Sequence, residues 1–468
     1  MEYYNRVDEE AIRRIAGIVG EENVLRESFH LLCYVKDFYK PYPRFKPPEL
    51  IVYPENTAQI SEIVKLANEK LIPITPVGGL TGISGCAIPR YGGIVIDLRK
   101  MDRIIEIDEE NMYVTCEAGI TCARLAYELE RKGYIPPHFP ASRYAATIGG
   151  SIAYCGVDGS QMVYGSIGDR ISSLKVVLPT GNILNVVGGT SGKIRKSSSS
   201  FNLKWLFIGT CGTLGIITEA TLRIYPKPNV KDSILIAFNS IDDALKLANE
   251  IKKKNLPIAC FTVWDEVAVN QHRRMVYGSK IPLSNILVLV DIIGYNSEIY
   301  SLLRNEVLKI CLSLGGEICS GEVVQYISGY TSDFYSALAA TGKGGWGCID
   351  IAIPLINVKK ALDKLYSILK TYDVEPLGAL ILKLDPMYID FFYRVDEENR
   401  EKYPIYIKAI REMLKVGLEL GGSISHSMGV KIDAKDMIPM ELGYGYEILK
   451  KIKNILDPRG ILNPGIFF

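Results

Sequence analysis

Histidine is scarce in this chain: His30, His138, His272 and His426 are the four in 468 residues. They lie too far apart for a local two-histidine metal motif, and no metal is expected. Ten cysteines are present, yet none forms a Cys-x-x-Cys pair. That removes the local signature of a zinc ribbon or an iron–sulfur cluster and leaves buried reduced thiols as the ordinary reading. No apolar run approaches the roughly 18 residues a membrane helix needs, so no integral membrane segment is expected. The opening Met1-Glu2-Tyr3-Tyr4-Asn5 is polar and acidic, unlike a signal peptide, and the expected location is the cytoplasm. Also missing is an excess of one charge: 54 basic residues face 53 acidic ones, so no overall field draws in nucleic acid or an anionic membrane. The expected partner is a small-molecule substrate.

What the chain does have is apolar material, 48% of its residues, enough for two or three domains at roughly 100 to 200 residues each. Asn56 or Thr57 can cap a helix that places Ile60, Ile63, Val64 and Ala67 on one face. Leu71 to Pro76 then reads as a strand leading into the glycine-rich Val77 to Gly85. From about Val230 to Leu420, strand-like runs (Ser233 to Phe238, Asn285 to Ile292, Cys348 to Pro354, Ala379 to Leu384) alternate with helical ones (Ile241 to Lys254, Tyr300 to Leu314, Val358 to Thr371, Ile405 to Leu420). That pattern predicts an α+β domain with helices covering one sheet face. A last helix, about Leu442 to Ile455, stops at Asp457-Pro458-Arg459-Gly460.

Two stretches concentrate small residues. In the first, glycines at 78, 79, 82 and 85 let the backbone turn several N–H groups toward one anion, a nest able to hold a pyrophosphate without a lysine; an ordinary glycine turn would look the same. The second runs Pro140-Ala141-Ser142, then Ala146-Thr147-Ile148-Gly149-Gly150-Ser151-Ile152-Ala153. Backbone pressed against a flat ligand needs such residues, and the hydroxyls of Thr147 and Ser151 add hydrogen bonds; a tight inter-element turn explains the glycines but not the length of the run. Two other patterns are decoys. Gly342-Lys343-Gly344-Gly345-Trp346-Gly347 follows a helix and precedes a strand, the reverse of a dinucleotide fold, and is expected to be a mobile loop. Gly188 to Lys193 is one residue short of a P-loop and continues with Ile194 where Ser or Thr should stand.

With Gly93 to Leu98, Tyr164-Gly165-Ser166-Ile167-Gly168-Asp169, Val176 to Gly181, Leu203 to Gly209, Gly212 to Ala220 and Leu456-Asp457-Pro458 through Asn463-Pro464-Gly465, these segments in this order resemble the vanillyl-alcohol oxidase superfamily of FAD-binding proteins. The branch is that of glycolate oxidase GlcD and D-lactate dehydrogenase. The resemblance implies an α+β fold: a two-part PCMH-type FAD-binding domain at 44–226 after an N-terminal helical segment at 1–43, a substrate cap with an antiparallel sheet at 227–425, and a segment at 426–468 returning to the FAD domain. It implies FAD contacts at Pro76, Val77, Gly78, Gly79, Leu80, Thr81 and Gly82 for the pyrophosphate. The flavin and phosphates would be lined by Pro140, Ala141, Ser142, Ala146, Thr147, Gly149, Gly150, Ser151 and Ala153, with backbone contacts from Gly165 and Ile217.

The chain departs from that family at Val77, where members usually carry Arg, and near Gly378 to Leu384 and His426-Ser427-Met428, where the metal-using branch carries additional histidines and a Glu-His pair. The Ser423 to His426 stretch also resembles the alkyldihydroxyacetone-phosphate synthase branch.

Oxidation by flavin needs a base within reach of the substrate hydroxyl. His426, in the small-residue stretch Gly421 to Ser427, is the leading candidate beside a structural role. Period-two alternation along Ala379 to Asp385 puts Leu380, Leu382 and Leu384 on the face packed under the helices and turns Lys383 toward a cavity, where it would pair with a substrate carboxylate or with negative charge on reduced flavin, or else snorkel at a sheet edge. His138 reads as packing beside the flavin run, with a ring-edge or covalent role as the alternative, and His272-Arg273-Arg274 as a place for an acidic substrate or a solvated helix surface. The expected activity is FAD-dependent oxidation of a small hydroxylated substrate, first a D-2-hydroxy acid of lactate or glycolate type. The alternatives are a non-redox flavoenzyme, an aromatic-alcohol oxidase, or a flavin subunit needing an iron–sulfur partner; a homodimer and an unidentified electron acceptor complete the expectations.

Overall fold

The computed structural model describes residues 3–39, 46–187, 189–194, 197–275, 284–321, 323–324, 344–384 and 386–468. They divide into two compact units, one of Met1–Asp158, Gly165–Lys227 and Gly429–Phe468, the other of Gly159–Tyr164 and Pro228–Met428.

The first unit holds two sheets over one continuous core. In the four-stranded sheet the order is Val24–Leu25, Leu50–Val52, Ile94–Asp97, Ile74–Val77, the last three parallel. The helix Thr57–Lys70 begins where the Asn56 side chain accepts the Gln59 N–H, and buries Ile60, Ile63, Val64 and Ala67 as their spacing predicts. The five-stranded sheet is antiparallel, ordered Ile104–Asp108, Tyr113–Glu117, Ile216–Arg223, Ile171–Val177, Ile183–Val186. Both sheets bury into the same cluster, from Leu50 and Ile74 to Val114, Ile171 and Leu222. The C-terminal chain runs beside Ile74, which donates to Ile461 O and accepts from Asn463 N, each at 2.8 Å. A buried Lys453–Asp457 ion pair holds that run: Lys453 Nζ also donates to Thr213 O at 2.7 Å, and Asp457 Oδ2 accepts Leu462 N at 2.9 Å.

The second unit is a seven-stranded antiparallel sheet in the order Glu317–Ile318, Val230–Phe238, Ile286–Gly294, Cys260–Trp264, Pro376–Leu382, Met387–Val395, Gly345–Ile353. The α+β reading with an antiparallel sheet holds, and the helix Val358–Thr371 lies where its spacing puts it. Three local expectations are corrected. The strands Cys260–Trp264 and Met387–Val395 were absent from the sequence reading. Of the expected loop Gly342 to Gly347, Gly342 and Lys343 lie outside the described residues, and Gly345-Trp346-Gly347 is strand rather than loop, paired with Val395, Arg394 and Tyr393; a Cβ at Gly347 would enter the Tyr393 ring, so glycine here serves close packing.

The third correction concerns faces. Ile381 pairs with Ile389, and Ala379 with Phe391, and the Phe391 ring packs on Tyr366 of the helix Val358–Thr371 at 5.0 Å. The helices therefore cover the Ala379–Ile381 face. Leu380 and Leu382 share the opposite face with Asp390 and Tyr388. Lys383 follows the strand's end with φ 64°, which breaks the alternation and carries its side chain to the Tyr388 side, with Nζ 5.9 Å from the ring centre. Asp385, named with that face, lies outside the described residues. Among the described residues, no helix is long and apolar enough to cross a membrane.

Candidate active site

Two constellations carry chemistry, one in each unit. In the first unit the strand Ile74–Val77 runs straight into the glycine loop. Among the described residues no acceptor meets the backbone N–H groups of Gly78, Gly79, Leu80, Thr81, Gly82 or Ile83, although all six residues are half-buried. Six consecutive donors, with Leu80 held at φ 53°, are thus left for a ligand such as an anion. The loop also lies hard against the second small-residue run. A Cβ at Gly78 would overlap Thr147 Oγ1, one at Gly79 the Ala145 carbonyl, and one at Gly82 the Tyr154 hydroxyl. The glycines thus serve chain against chain as well as the open side. Pro76 packs beneath Gly212, and Val77 is buried with Tyr34, Ile51 and Val95, so its side chain does not face the open donors.

Several donors of the second run are already engaged. Ala145 N and Ala146 N donate to Ser142 O in the turn that begins at Pro140 and Ala141, Ile148 N and Gly149 N to Ile120 O and Ala118 O, and Ser151 N to Thr147 O. Thr147 Oγ1 accepts Gly150 N at 3.2 Å, and Ala153 O accepts Cys211 N at 2.9 Å. Ile217 is buried on its strand beside a bulge.

Sequence reasoning missed four charges around these loops. Asp158 and Arg170, each 1% exposed in the side chain, pair at 3.0 Å. Arg170 also donates to Pro137 O at 2.5 Å and Gly165 O at 2.7 Å, and Asp158 Oδ2 accepts Phe139 N at 3.1 Å, so the pair ties the Pro140 region to Gly165. Burial alone would raise the Asp158 carboxyl, but Arg170 and His138 hold it well below the usual carboxylate range. His138, with Nδ1 3.2 Å from Asp158 Oδ2, is part of this buried cluster. Lys431 is 3% exposed and donates to Ile83 O at 2.7 Å, which brings a cation to the end of the glycine loop. Asp37 accepts Tyr39 N at 2.7 Å and Gly85 N at 3.0 Å, and burial pushes its carboxyl up to about 7. Lys193 of the P-loop look-alike is engaged by Glu106 and Asp108.

In the second unit the structure brings the two catalytic candidates together: Lys383 Nζ lies 3.2 Å from His426 Nε2. The His426 ring stacks on Tyr388, centroids 4.5 Å apart. Burial and then the Lys383 charge lower its pKa to about 4, so the imidazole is neutral and Nε2 accepts from the ammonium. The loop carrying it is fixed by Asp350, whose Oδ2 accepts His426 N at 2.8 Å, Ser427 N at 2.5 Å and Met428 N at 2.9 Å, while Oδ1 accepts Ser425 Oγ at 3.0 Å. Tyr388 accepts from Gln161 Nε2 at 3.4 Å. Burial, and then Asp390, push its hydroxyl well above the ordinary tyrosine range, so it stays protonated. The signal for Asp350 was a lone carboxylate inside the apolar run Ile349 to Ile353. Tyr388 and Gln161 had none. Arg273 donates to Asn270 Oδ1 and Ser284 O, whereas the side chains of His272 and Arg274 lie outside the described residues.

Comparison with known proteins gives the context. Residues 48–186 match the FAD binding domain family, and residues 227–466 match the C-terminal domain of FAD linked oxidases. Over 474 residues the chain is 27% identical to glycolate oxidase subunit GlcD of Bacillus subtilis (strain 168), covering 97% of this chain and 96% of that protein. A D-lactate dehydrogenase of Archaeoglobus fulgidus is 29% identical over 461 residues, covering 90% and 92%. A crystal structure of p-cresol methylhydroxylase with substrate bound superposes with a TM-score of 0.84 at 20% identity, covering 98% of this chain and 96% of that one, which establishes the fold. With residues 227–466, over half of the chain, matching the FAD linked oxidases and residues 48–186 the FAD binding domain, the chain belongs to the FAD-linked oxidases and is an FAD-dependent oxidoreductase.

Proposed function

We propose that the protein oxidises a small D-2-hydroxy acid, of the lactate or glycolate type, in the cytoplasm. The observation that carries this reading is the Lys383–His426 contact, a cation suited to a carboxylate beside a neutral imidazole suited to a hydroxyl proton. The names of the relatives point the same way.

The six unspent N–H groups from Gly78 to Ile83 fit the FAD pyrophosphate, with Lys431 adding the positive charge that Val77 does not supply. Pro76, Thr81 and the run from Pro140 to Ala153, together with Gly165 and Ile217, would line the rest of the cofactor. When bound, FAD would supply the acceptor for a hydride from the substrate carbon.

The chain's own residues do the remaining work. In the resting state Lys383 occupies His426 Nε2. An incoming carboxylate draws the ammonium onto itself, because an anion competes better for it than a neutral ring nitrogen. Nε2 is then free to take the proton from the substrate hydroxyl, and Asp350 keeps the ring in place through the backbone of residues 426–428. A separate acceptor, oxygen, a quinone or an iron–sulfur protein, removes the electrons. Anaerobic addition of D-lactate or glycolate to the yellow holoprotein is the test: loss of the oxidised flavin band supports the proposal, and an unchanged band across a panel of 2-hydroxy acids sinks it.

A further inference from the structure

Gln161 presents a polar atom that the proposed reaction does not use. It is 7% exposed. Its amide nitrogen lies 3.4 Å from the Tyr388 hydroxyl, while its amide oxygen is buried and, among the described residues, accepts no hydrogen bond. The segment carrying it is anchored in the second unit by a 2.9 Å contact between the hydroxyls of Tyr164 and Tyr295. A buried acceptor left without a donor is costly, and in native proteins it marks a ligand or a water. Here it stands one tyrosine ring away from His426.

The hydroxyl that reacts is committed to His426 and the carboxylate to Lys383 in the reading above, on which this inference rests. Neither supplies a proton for Gln161 Oε1. We infer that Gln161 is a specificity-determining residue whose amide oxygen accepts a hydrogen bond from a second hydroxyl on the substrate, so that the preferred substrate class is the 2,3-dihydroxy acids over acids with a bare methyl. In this orientation the amide N–H is directed to the Tyr388 hydroxyl, which leaves the amide oxygen as the atom without a partner.

Three acids that differ only at carbon 3 test this: D-lactate (methyl), D-glycerate (hydroxymethyl) and tartronate (carboxylate, which only accepts). Their Kd values are measured by calorimetry on holoprotein reduced with dithionite, where no turnover occurs, and flavin reduction by the two D-acids is followed anaerobically. D-Glycerate is expected to bind at least about tenfold more tightly than D-lactate, the value of one good hydrogen bond to a buried acceptor, and tartronate less tightly than D-glycerate. In Gln161→Met, of similar volume, the glycerate-to-lactate ratio falls to near one. Gln161→Asn, which withdraws the amide by one methylene, narrows the ratio and stands in should the Met variant fail to retain FAD. Equal binding of D-glycerate and D-lactate by the unsubstituted protein, a ratio untouched in either variant, or a preference for tartronate overturns the inference. A bleaching failure with a preserved binding preference instead overturns the redox reading and leaves the subsite standing.

Discussion

Lys383 Nζ is 3.2 Å from His426 Nε2, although the residues are 43 apart in sequence and come from a strand end and from the loop following the helix Tyr403–Glu419. Burial, and then the Lys383 charge, keep the ring nitrogen unprotonated; in the proposed reaction the pair would act as a latch that opens when an anion takes the lysine.

Replacing Lys383 by Met removes the cation and leaves burial alone to depress the imidazole. The His426 pKa then rises from about 4. Because the base must be neutral, the acid limb of kcat/KM for flavin reduction moves to higher pH, and KM for the carboxylate substrate rises. His426→Gln is expected to slow flavin reduction by about 10²- to 10⁴-fold, the usual contribution of a general base, with FAD content unchanged. A pH–rate profile whose acid limb stays put in Lys383→Met contradicts the latch.

The proposed pyrophosphate site yields a different signature. Gly79→Val drives a branched side chain into the Ala145 carbonyl, separating the glycine loop from the second run. FAD content per chain after purification with excess FAD is expected to fall at least tenfold. The melting temperature of the apoprotein should fall less than that of the holoprotein, since bound ligand contributes to stability by mass action. Full flavin occupancy in the variant would place the cofactor elsewhere.

How much of this was legible beforehand varied with the physics. The helix Thr57–Lys70 was legible because Ile60, Ile63, Val64 and Ala67 recur at helical spacing, and the glycine loop because only small residues tolerate such contacts. The Met387–Val395 strand, buried on both faces, has no alternation to read. The face of Lys383 was misjudged because alternation assumes extended backbone, and its positive φ lies outside that assumption. Asp158 and Arg170 escaped notice because a buried ion pair depends on two distant segments meeting. The same holds for Gln161 with Tyr388.

Asp350 is a positioning residue. Its carboxylate receives three consecutive backbone N–H groups and the Ser425 hydroxyl. Asp350→Ala leaves those donors buried without a partner, so about 3 kcal/mol of unfolding free energy should be lost in urea titrations. The Asn variant keeps an acceptor and should recover part of both stability and rate. The slowed flavin reduction expected in Asp350→Ala should appear in kcat more than in KM, because the substrate's carboxylate partner, Lys383, is untouched. An equal loss in both would mean the residue only holds the fold.

Asp37 makes the first unit sensitive to pH. Its carboxyl titrates at about 7 in the fold against an ordinary 3.8, chiefly because burial disfavours the charged form. The fold therefore binds a proton that the unfolded chain has already released between those values. The stabilisation is fully present below about pH 4 and is lost as pH rises through about 7, amounting to roughly 4 kcal/mol at most. Asp158 acts in the opposite sense, but its depressed pKa confines its effect to more acid solution. The difference in melting temperature between the unsubstituted protein and Asp37→Asn, measured from pH 4.5 to 8, isolates Asp37 from other groups that titrate in that range: the unsubstituted protein should lose stability relative to the variant as pH rises. An ionised Asp37 would also stand close to the proposed pyrophosphate site, bonded to Gly85 N at 3.0 Å, and repel the pyrophosphate. FAD should accordingly bind more weakly at pH 8 than at pH 6 in the unsubstituted protein and with less pH dependence in Asp37→Asn; parallel curves for the two proteins would show that this carboxyl does not titrate in the window.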